Sequence, residues 1–245
     1  MKKPHKKVAI VTGASRGIGR AITIKLTKLG CNIIGVYEKR DDKSQDLEKK
    51  YPNVKMIKAD IGKSSNCKKI IDFAVKKFGG IDILINNAGI FLGGDIVDFS
   101  LKDWNRILNV NLTSNFLFCK FAIPYLEKSG NGVIVNISSR FGIDEYTLPW
   151  CNAYGVTNAG INNLTVGLSK ELEPKGIRVN AVIPTVTDTD RFRNAFTKEE
   201  QEEIINKGKL GTSDEVAAIV LNLIKDKKKN GEIVIDKRVL IESDV

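Results

Sequence analysis

The stretch VAIVTGASRGIGRAITIKLTKLG, residues 8–30, decides the fold. Four apolar residues, Val8 to Val11, run into the turn Thr12-Gly13-Ala14-Ser15-Arg16-Gly17-Ile18-Gly19, which opens onto apolar residues at helical spacing. A short apolar run bounded by glycine reads as a buried strand, and the change of period marks a strand-turn-helix unit. Glycines there permit a tight reversal and close backbone approach, while free N–H groups and the dipole of the helix attract a pyrophosphate. The G-x-x-x-G-x-G spacing differs from the G-x-G-x-x-G fingerprint, so alone it fits either a phosphate cradle or merely a tight turn.

The same alternation recurs down the chain. NIIGVY precedes DDKSQDLEKKY, VKMIKAD precedes SSNCKKIIDFAVKKFG, and IDILINNAG precedes two helical stretches. GVIVNISS then leads to AYGVTNAGINNLTVGLSKELEP, IRVNAVIP to a variable segment and SDEVAAIVLNLIKD, and GEIVID closes the series. Seven strands alternating with helices predict parallel βαβ units with right-handed crossovers, a Rossmann-type doubly wound α/β sheet with helices on both faces. No repeat, low-complexity tract or linker divides residues 1–245, so one dinucleotide-binding domain is expected. In such sheets ligands bind outside the carboxyl ends of the strands, near the switch in strand order.

Composition narrows the classes. With 42% hydrophobic residues in 245, the chain can bury a sizeable core. Cys31, Cys67, Cys119 and Cys151 are widely spaced, without a CxxC pair, and the single His5 lies in a charged N-terminus, so neither a disulfide framework nor a metal site is expected. The apolar run after MKKPHKK is too short for a secretory signal, and no stretch approaches the roughly 20 apolar residues of a membrane span, so a cytoplasmic protein is expected. The net charge of +10 comes from lysines scattered over most helices, with dense runs only at MKKPHKK and KDKKKNG, a distribution that argues against a nucleic-acid partner.

The second strand ends in Tyr37-Glu38-Lys39-Arg40, about 20 residues past the glycines, where an acid holds an adenosine ribose and a base accepts a 2′-phosphate. Glu38 argues for NAD; Arg16, Lys39 and Arg40 argue for NADP.

Further motifs carry a resemblance. TGASRGIG, Asp60 of KADI, Asn86-Asn87-Ala88-Gly89, Asn111 of NLTS, Ser139 of VNISS, Tyr154 at a helix start and IRVNAVIP occur in order, and from about Lys7 to Asp236 the chain resembles the short-chain dehydrogenase/reductase family, of the kind that includes 3-oxoacyl-carrier-protein reductases. The resemblance implies an NAD(P)(H)-dependent oxidoreductase interconverting a carbonyl and an alcohol, with NADP the expected cofactor and NAD an alternative. It implies a phosphate loop of Gly13, Ser15, Arg16, Gly17, Ile18 and Gly19, a 2′-phosphate contact from Lys39, an adenine contact from Asp60, and a brace from Asn87. Tyr154, which also adjoins the cofactor, would exchange a proton with the substrate oxygen, Ser139 would hydrogen-bond that oxygen, Asn111 would position a relay water, and Thr189 would touch the carboxamide. These roles suit the chemistry: a hydroxyl at a strand's carboxyl end facing a tyrosine supplies a donor and an acid for developing alkoxide charge. Ser138 is the neighbouring candidate, which strand alternation points to the other face. Residues 185–211 would form the substrate loop, where Phe192 and Phe196 with Arg191, Arg193 and Lys198 fit an apolar body with an anionic group, such as an acyl thioester, or simply helix packing. A homo-oligomer, dimer or tetramer, is implied as well.

The chain also departs from the family's pattern. Four residues past Tyr154, one turn on and on the same helical face, stands Asn158 in place of the lysine that holds the nicotinamide ribose and lowers the tyrosine pKa. Arg140, just after Ser139, is a possible substitute charge. Thr185 follows Pro184 where glycine is usual, Thr187 replaces an apolar residue, and Lys237-Arg238 follow Asp236 where the family has two glycines. A reductase with weakened or altered catalysis is expected; the alternative is a catalytically silent dinucleotide sensor or subunit.

Overall fold

The computed structural model describes residues 6–240; His5 and the outermost residues of the expected 1–245 domain lie outside them. Each apolar run forms a strand: β1 (Val8–Thr12), β2 (Asn32–Tyr37), β3 (Val54–Lys58), β4 (Ile83–Asn86), β5 (Val133–Ile137), β6 (Arg178–Ile183) and β7 (Ile233–Ile235). All pair in parallel, in the order β3-β2-β1-β4-β5-β6-β7. The helices are α1 (Gly17–Lys28), α2 (Asp41–Lys50), α3 (Ser64–Phe78), α4 (Leu101–Ile107), α5 (Ser114–Lys128), α6 (Asn152–Leu172), α7 (Asp190–Ala195), α8 (Lys198–Asn206), α9 (Ser213–Lys225) and α10 (Lys237–Leu240).

Central strands covered on both faces read as continuous apolar runs, and β1, β4 and β6 are buried along their whole length. Alternation then sorts their side chains into two cores. Ala9, Val11, Ile83 and Val135 face Ile22 and Leu26 of α1 and Val216 and Val220 of α9. Ile10, Leu84 and Ile134 face Ile71 of α3, Phe118 of α5 and Leu172 of α6. Among the described residues no helix is long and apolar enough to cross a membrane, and all four cysteines are buried and free.

Three local features position the site. The order of strands reverses between β1 and β4, so a crevice opens at their carboxyl ends. α4 and α5 are joined by a π-helical turn, Leu108–Thr113, that contains Asn111. The two ends of the 185–211 segment are tied together: Thr187 bridges Gly211, Asp188 N–H donates to the Gly211 carbonyl, and Gly211 N–H donates to the Val186 carbonyl.

Candidate active site

β1 ends at Thr12, whose hydroxyl accepts from the Asn87 and Ala88 amides at 2.9 Å each; the Asn87 side-chain amide donates to the Thr12 carbonyl at 2.8 Å. The glycine turn is thus clamped onto the strand beside it. A Cβ at Gly13, where φ is +69°, would stand 2.7 Å from Asn87 Nδ2, and one at Gly19 would collide with the Gly13 carbonyl oxygen. α1 begins there with Arg16 as an extended N-cap, without a side-chain cap or an acidic residue in its first turn. Its first amides are therefore available to an anion. Ser15 is buried and donates to the Lys39 carbonyl at 3.4 Å, and Ile18 packs on the α1 side of the core. A tight glycine cradle over an uncapped helix start fits a dinucleotide pyrophosphate.

At the adenosine end the two charge signs separate. Glu38 accepts from Arg106 at 3.1 Å, and the same guanidinium donates to both oxygens of Asp60 at 2.8 and 2.9 Å. Arg106 and the Gly62 amide hold the Asp60 carboxyl below its ordinary pKa against the opposing effect of burial. The acid that argued for NAD is thus engaged elsewhere, and Asp60 reaches an adenine only alongside Arg106. On the basic side Lys39 is exposed, and Arg40 adopts the left-handed conformation, φ 70°, the sole non-glycine residue to do so among those described. Arg40, Lys43 and Arg16 converge on Asp190 of α7, at 3.3, 3.3 and 4.0 Å.

The reaction end is assembled from β5, α5 and α6. β5 delivers Ser138 and Ser139 to its carboxyl terminus. Ser138 is buried and donates to the Asn158 carbonyl at 3.4 Å, whereas the half-buried Ser139 caps the turn Arg140–Gly142, accepting from the Phe141 amide at 3.4 Å. That turn lies on the start of α6: a Cβ at Gly155 would sit 2.9 Å from the Phe141 carbonyl oxygen, and one at Gly142 would clash with the Asn158 backbone. Tyr154 stands on the same helical turn. Phe91 and Phe141 enclose its ring edge-on, with centroids 5.1 and 6.1 Å away, and Trp150 packs on Phe91 at 5.7 Å. Arg140 is half-buried with its guanidinium over the Phe141 ring at 5.1 Å, and burial lowers its pKa.

Asn111 is buried in the π turn, a helical irregularity frequent at functional sites. Its side chain clamps Ile90 by accepting from the amide at 2.8 Å and donating to the carbonyl at 2.9 Å, and it also donates to the Thr157 hydroxyl at 3.3 Å. The Asn111 carbonyl itself accepts from the Asn115 side chain at 2.5 Å. Asn158, 3% exposed, turns its amide back to the Tyr154 carbonyl at 2.8 Å. Each of these two asparagines thus has one of its polar groups engaged by a local hydrogen bond, the Asn111 carbonyl and the Asn158 amide.

In the 185–211 segment, Phe192 is buried and packs on Phe196 at 5.4 Å, so of the two readings of this pair helix packing prevails. Arg193 is neutralised by Asp188 at 2.9 Å. Thr185 donates to the Lys209 carbonyl and Thr187 to the Thr185 carbonyl, each at 2.8 Å, so the two replacements stiffen the segment's base. Thr189 caps α7, accepting from the Phe192 amide, and its methyl faces Gly17, where a Cβ would stand 3.1 Å away. The Lys237-Arg238 ending forms α10 rather than an open turn: Arg238 binds Asp236 at 2.9 Å and Glu215 at 3.3 Å.

A family model described as short chain dehydrogenase matches residues 7–200. The chain belongs to the short-chain dehydrogenase family. This short-chain dehydrogenase is 33% identical over 225 residues to the 3-oxoacyl-[acyl-carrier-protein] reductase FabG of Thermotoga maritima, covering 90% of this chain and 91% of the relative. It is 32% identical over 231 residues to the 3beta-hydroxysteroid dehydrogenase 1 of Eggerthella lenta, covering 90% and 87%. Its fold matches the crystal structure of a short chain dehydrogenase from Burkholderia cenocepacia in complex with NADP, with a TM-score of 0.85, 30% identity, and 95% and 97% of the two chains covered.

Sequence reasoning missed Lys43, Asp190, Asn115 and the enclosure by Phe91, Phe141 and Trp150. Only Lys43 carried a signal, three residues past Arg40 at helical spacing.

Proposed function

We propose that this chain is an NADP(H)-dependent carbonyl reductase in which Tyr154 is the proton donor, Ser139 hydrogen-bonds the substrate oxygen, and Asn158 weakens the oxidative direction. The observation that carries this reading is the turn after Ser139 lying directly on the α6 turn that presents Tyr154. NADPH supplies the hydride. The Gly13–Gly19 cradle and the α1 N-terminus would hold its pyrophosphate, and Arg16, Lys39 and Arg40 its 2′-phosphate. The Ser139 hydroxyl accepts only a long hydrogen bond, which leaves its proton free to be donated to a carbonyl oxygen. Tyr154 Oη then gives up its proton as negative charge develops there, and Phe91 and Phe141 hold the phenol ring in place for the transfer.

The relatives' substrates, a carrier-bound 3-oxoacyl group and a hydroxysteroid, share an apolar body bearing a carbonyl or alcohol. Phe91, Trp150 and Phe141 support a substrate of that kind here. Exposed Phe116 on α5 and Val156 on α6 would be covered in a homo-oligomer, which sedimentation would show.

NADPH and NADH oxidation should be followed against ketones, 3-oxosteroids and 3-oxoacyl thioesters, with Tyr154→Phe as control. Substrate-dependent turnover that the variant loses by about 100-fold or more supports the proposal. A second reading, a silent dinucleotide-binding protein, is favoured by Asn158, which brings no charge to Tyr154 and turns its amide to the Tyr154 backbone carbonyl. It is the one retained if NADPH binds and nothing on the panel, in either form, is turned over.

A further inference from the structure

Asp190 is the first residue of α7, at the entrance of the 185–211 segment, yet its carboxylate lies at the adenosine end of the crevice. Lys43 and Arg40 reach its Oδ2 at 3.3 Å and Arg16 at 4.0 Å. These cations come from three places in the chain: the glycine turn, the end of β2 and the first turn of α2. Arg40 is held there in a left-handed backbone conformation that non-glycine residues rarely adopt, and it also grips Asp42 at 3.1 Å. Three positive groups against two carboxylates, Asp190 and Asp42, leave the cluster with one positive charge in excess. A phosphate monoester, with about −1.5 to −2 charge and three acceptor oxygens, matches them better than Asp190 does.

We infer that Asp190 is a built-in competitor for the 2′-phosphate site: it occupies Arg16, Arg40 and Lys43, and a 2′-phosphate displaces it whereas a 2′-hydroxyl does not. This rests on the proposed use of NADP. Its consequence is that the two cofactors leave the protein in different states. With NAD the entrance of α7 stays tied to the adenosine end; with NADP that tie is broken, while Thr189 remains against Gly17. Asp190 is a positioning residue in this scheme. It sets the degree of preference for NADP and couples occupancy of the phosphate site to the start of the substrate segment.

Adenosine fragments isolate the effect from catalysis. Binding of 2′,5′-ADP and of 5′-ADP should be measured by calorimetry for the native chain, Asp190→Asn and Asp190→Ser. The expected result is that both variants bind 2′,5′-ADP on the order of fivefold tighter, with 5′-ADP unchanged. In the native chain 2′,5′-ADP, but not 5′-ADP, should speed tryptic cleavage within residues 190–198. A gain in affinity confined to the 2′-phosphate is something a damaged fold does not produce. If the native chain prefers 2′,5′-ADP and neither variant gains, the competition is overturned and the NADP proposal stands. If no form distinguishes the two nucleotides, the three cations are not a 2′-phosphate site and both fall.

Discussion

At position 158 a lysine would bring an ammonium within reach of the Tyr154 hydroxyl; an asparagine brings only a dipole, and here that dipole is spent on the Tyr154 carbonyl. A cation at about 4–6 Å lowers a phenol's pKa by about 1–3 units, which is roughly 1.4–4 kcal/mol of preference for tyrosinate. The penalty of its absence is asymmetric. Reduction needs a neutral tyrosine that donates, whereas alcohol oxidation needs a tyrosinate that accepts. Asn158→Lys is therefore expected to raise alcohol oxidation at least roughly tenfold at neutral pH and to change ketone reduction much less. Initial rates in both directions check this, and an equal change in the two directions would mean that position 158 does not act through Tyr154. The pairing of 154 with 158 was legible because helical periodicity alone places residues four apart on one face. The enclosure of Tyr154 was not, since Phe91, Phe141 and Trp150 come from three loops whose convergence no local pattern records.

Strands were the most legible elements because a parallel strand buried on both sides reads as a nearly continuous apolar run, as Val8–Val11, Ile33–Val36 and Ile83–Ile85 do within β1, β2 and β4. β6 breaks that pattern at its first residue. Arg178 is 8% exposed, and its guanidinium donates to the Leu223, Ile224 and Lys229 carbonyls at 2.8, 2.9 and 2.9 Å, closing the C-terminal end of α9. Those acceptors lie about 45 to 51 residues further along the chain, beyond the reach of any periodicity. The last carbonyls of a helix need partners, and a cation there also meets the negative end of the helix dipole. Arg178→Met keeps most of the volume and removes every donor, so a loss of about 3 kcal/mol is expected in urea unfolding. A loss below about 0.5 kcal/mol would show that water replaces the guanidinium without cost. The Lys237-Arg238 ending stands where the family has two glycines; in the structure Arg238 fastens α10 to α9 through Glu215 and to the sheet through Asp236.

Charge is a property of the whole chain: 39 basic against 29 acidic residues. An excess of that size places a basic partner beside many carboxylates, and Asp60, Asp190, Glu215 and Asp236 are all held below their ordinary pKa, with Asp42 lowered to about 2. A carboxyl whose pKa is depressed by folding stabilises the native state fully above its unfolded value, near 3.9 for aspartate, and that contribution disappears as pH falls through the folded value. Protonation over the same interval raises the net positive charge, and self-repulsion adds to the loss. The thermal midpoint is therefore expected to be nearly level from pH 7 to 5 and to drop between about pH 4 and 2. Asp236 should contribute a share of its own, because it is 7% exposed and Arg238 binds it through both oxygens. Asp236→Asn removes the titrating proton while keeping the shape. Its midpoint should lie below the native one at pH 7 and approach it by pH 2, where the native carboxylate has itself been protonated. Curves that remain parallel over the whole range would mean that the Asp236–Arg238 contact stabilises through its geometry and not through its ionisation.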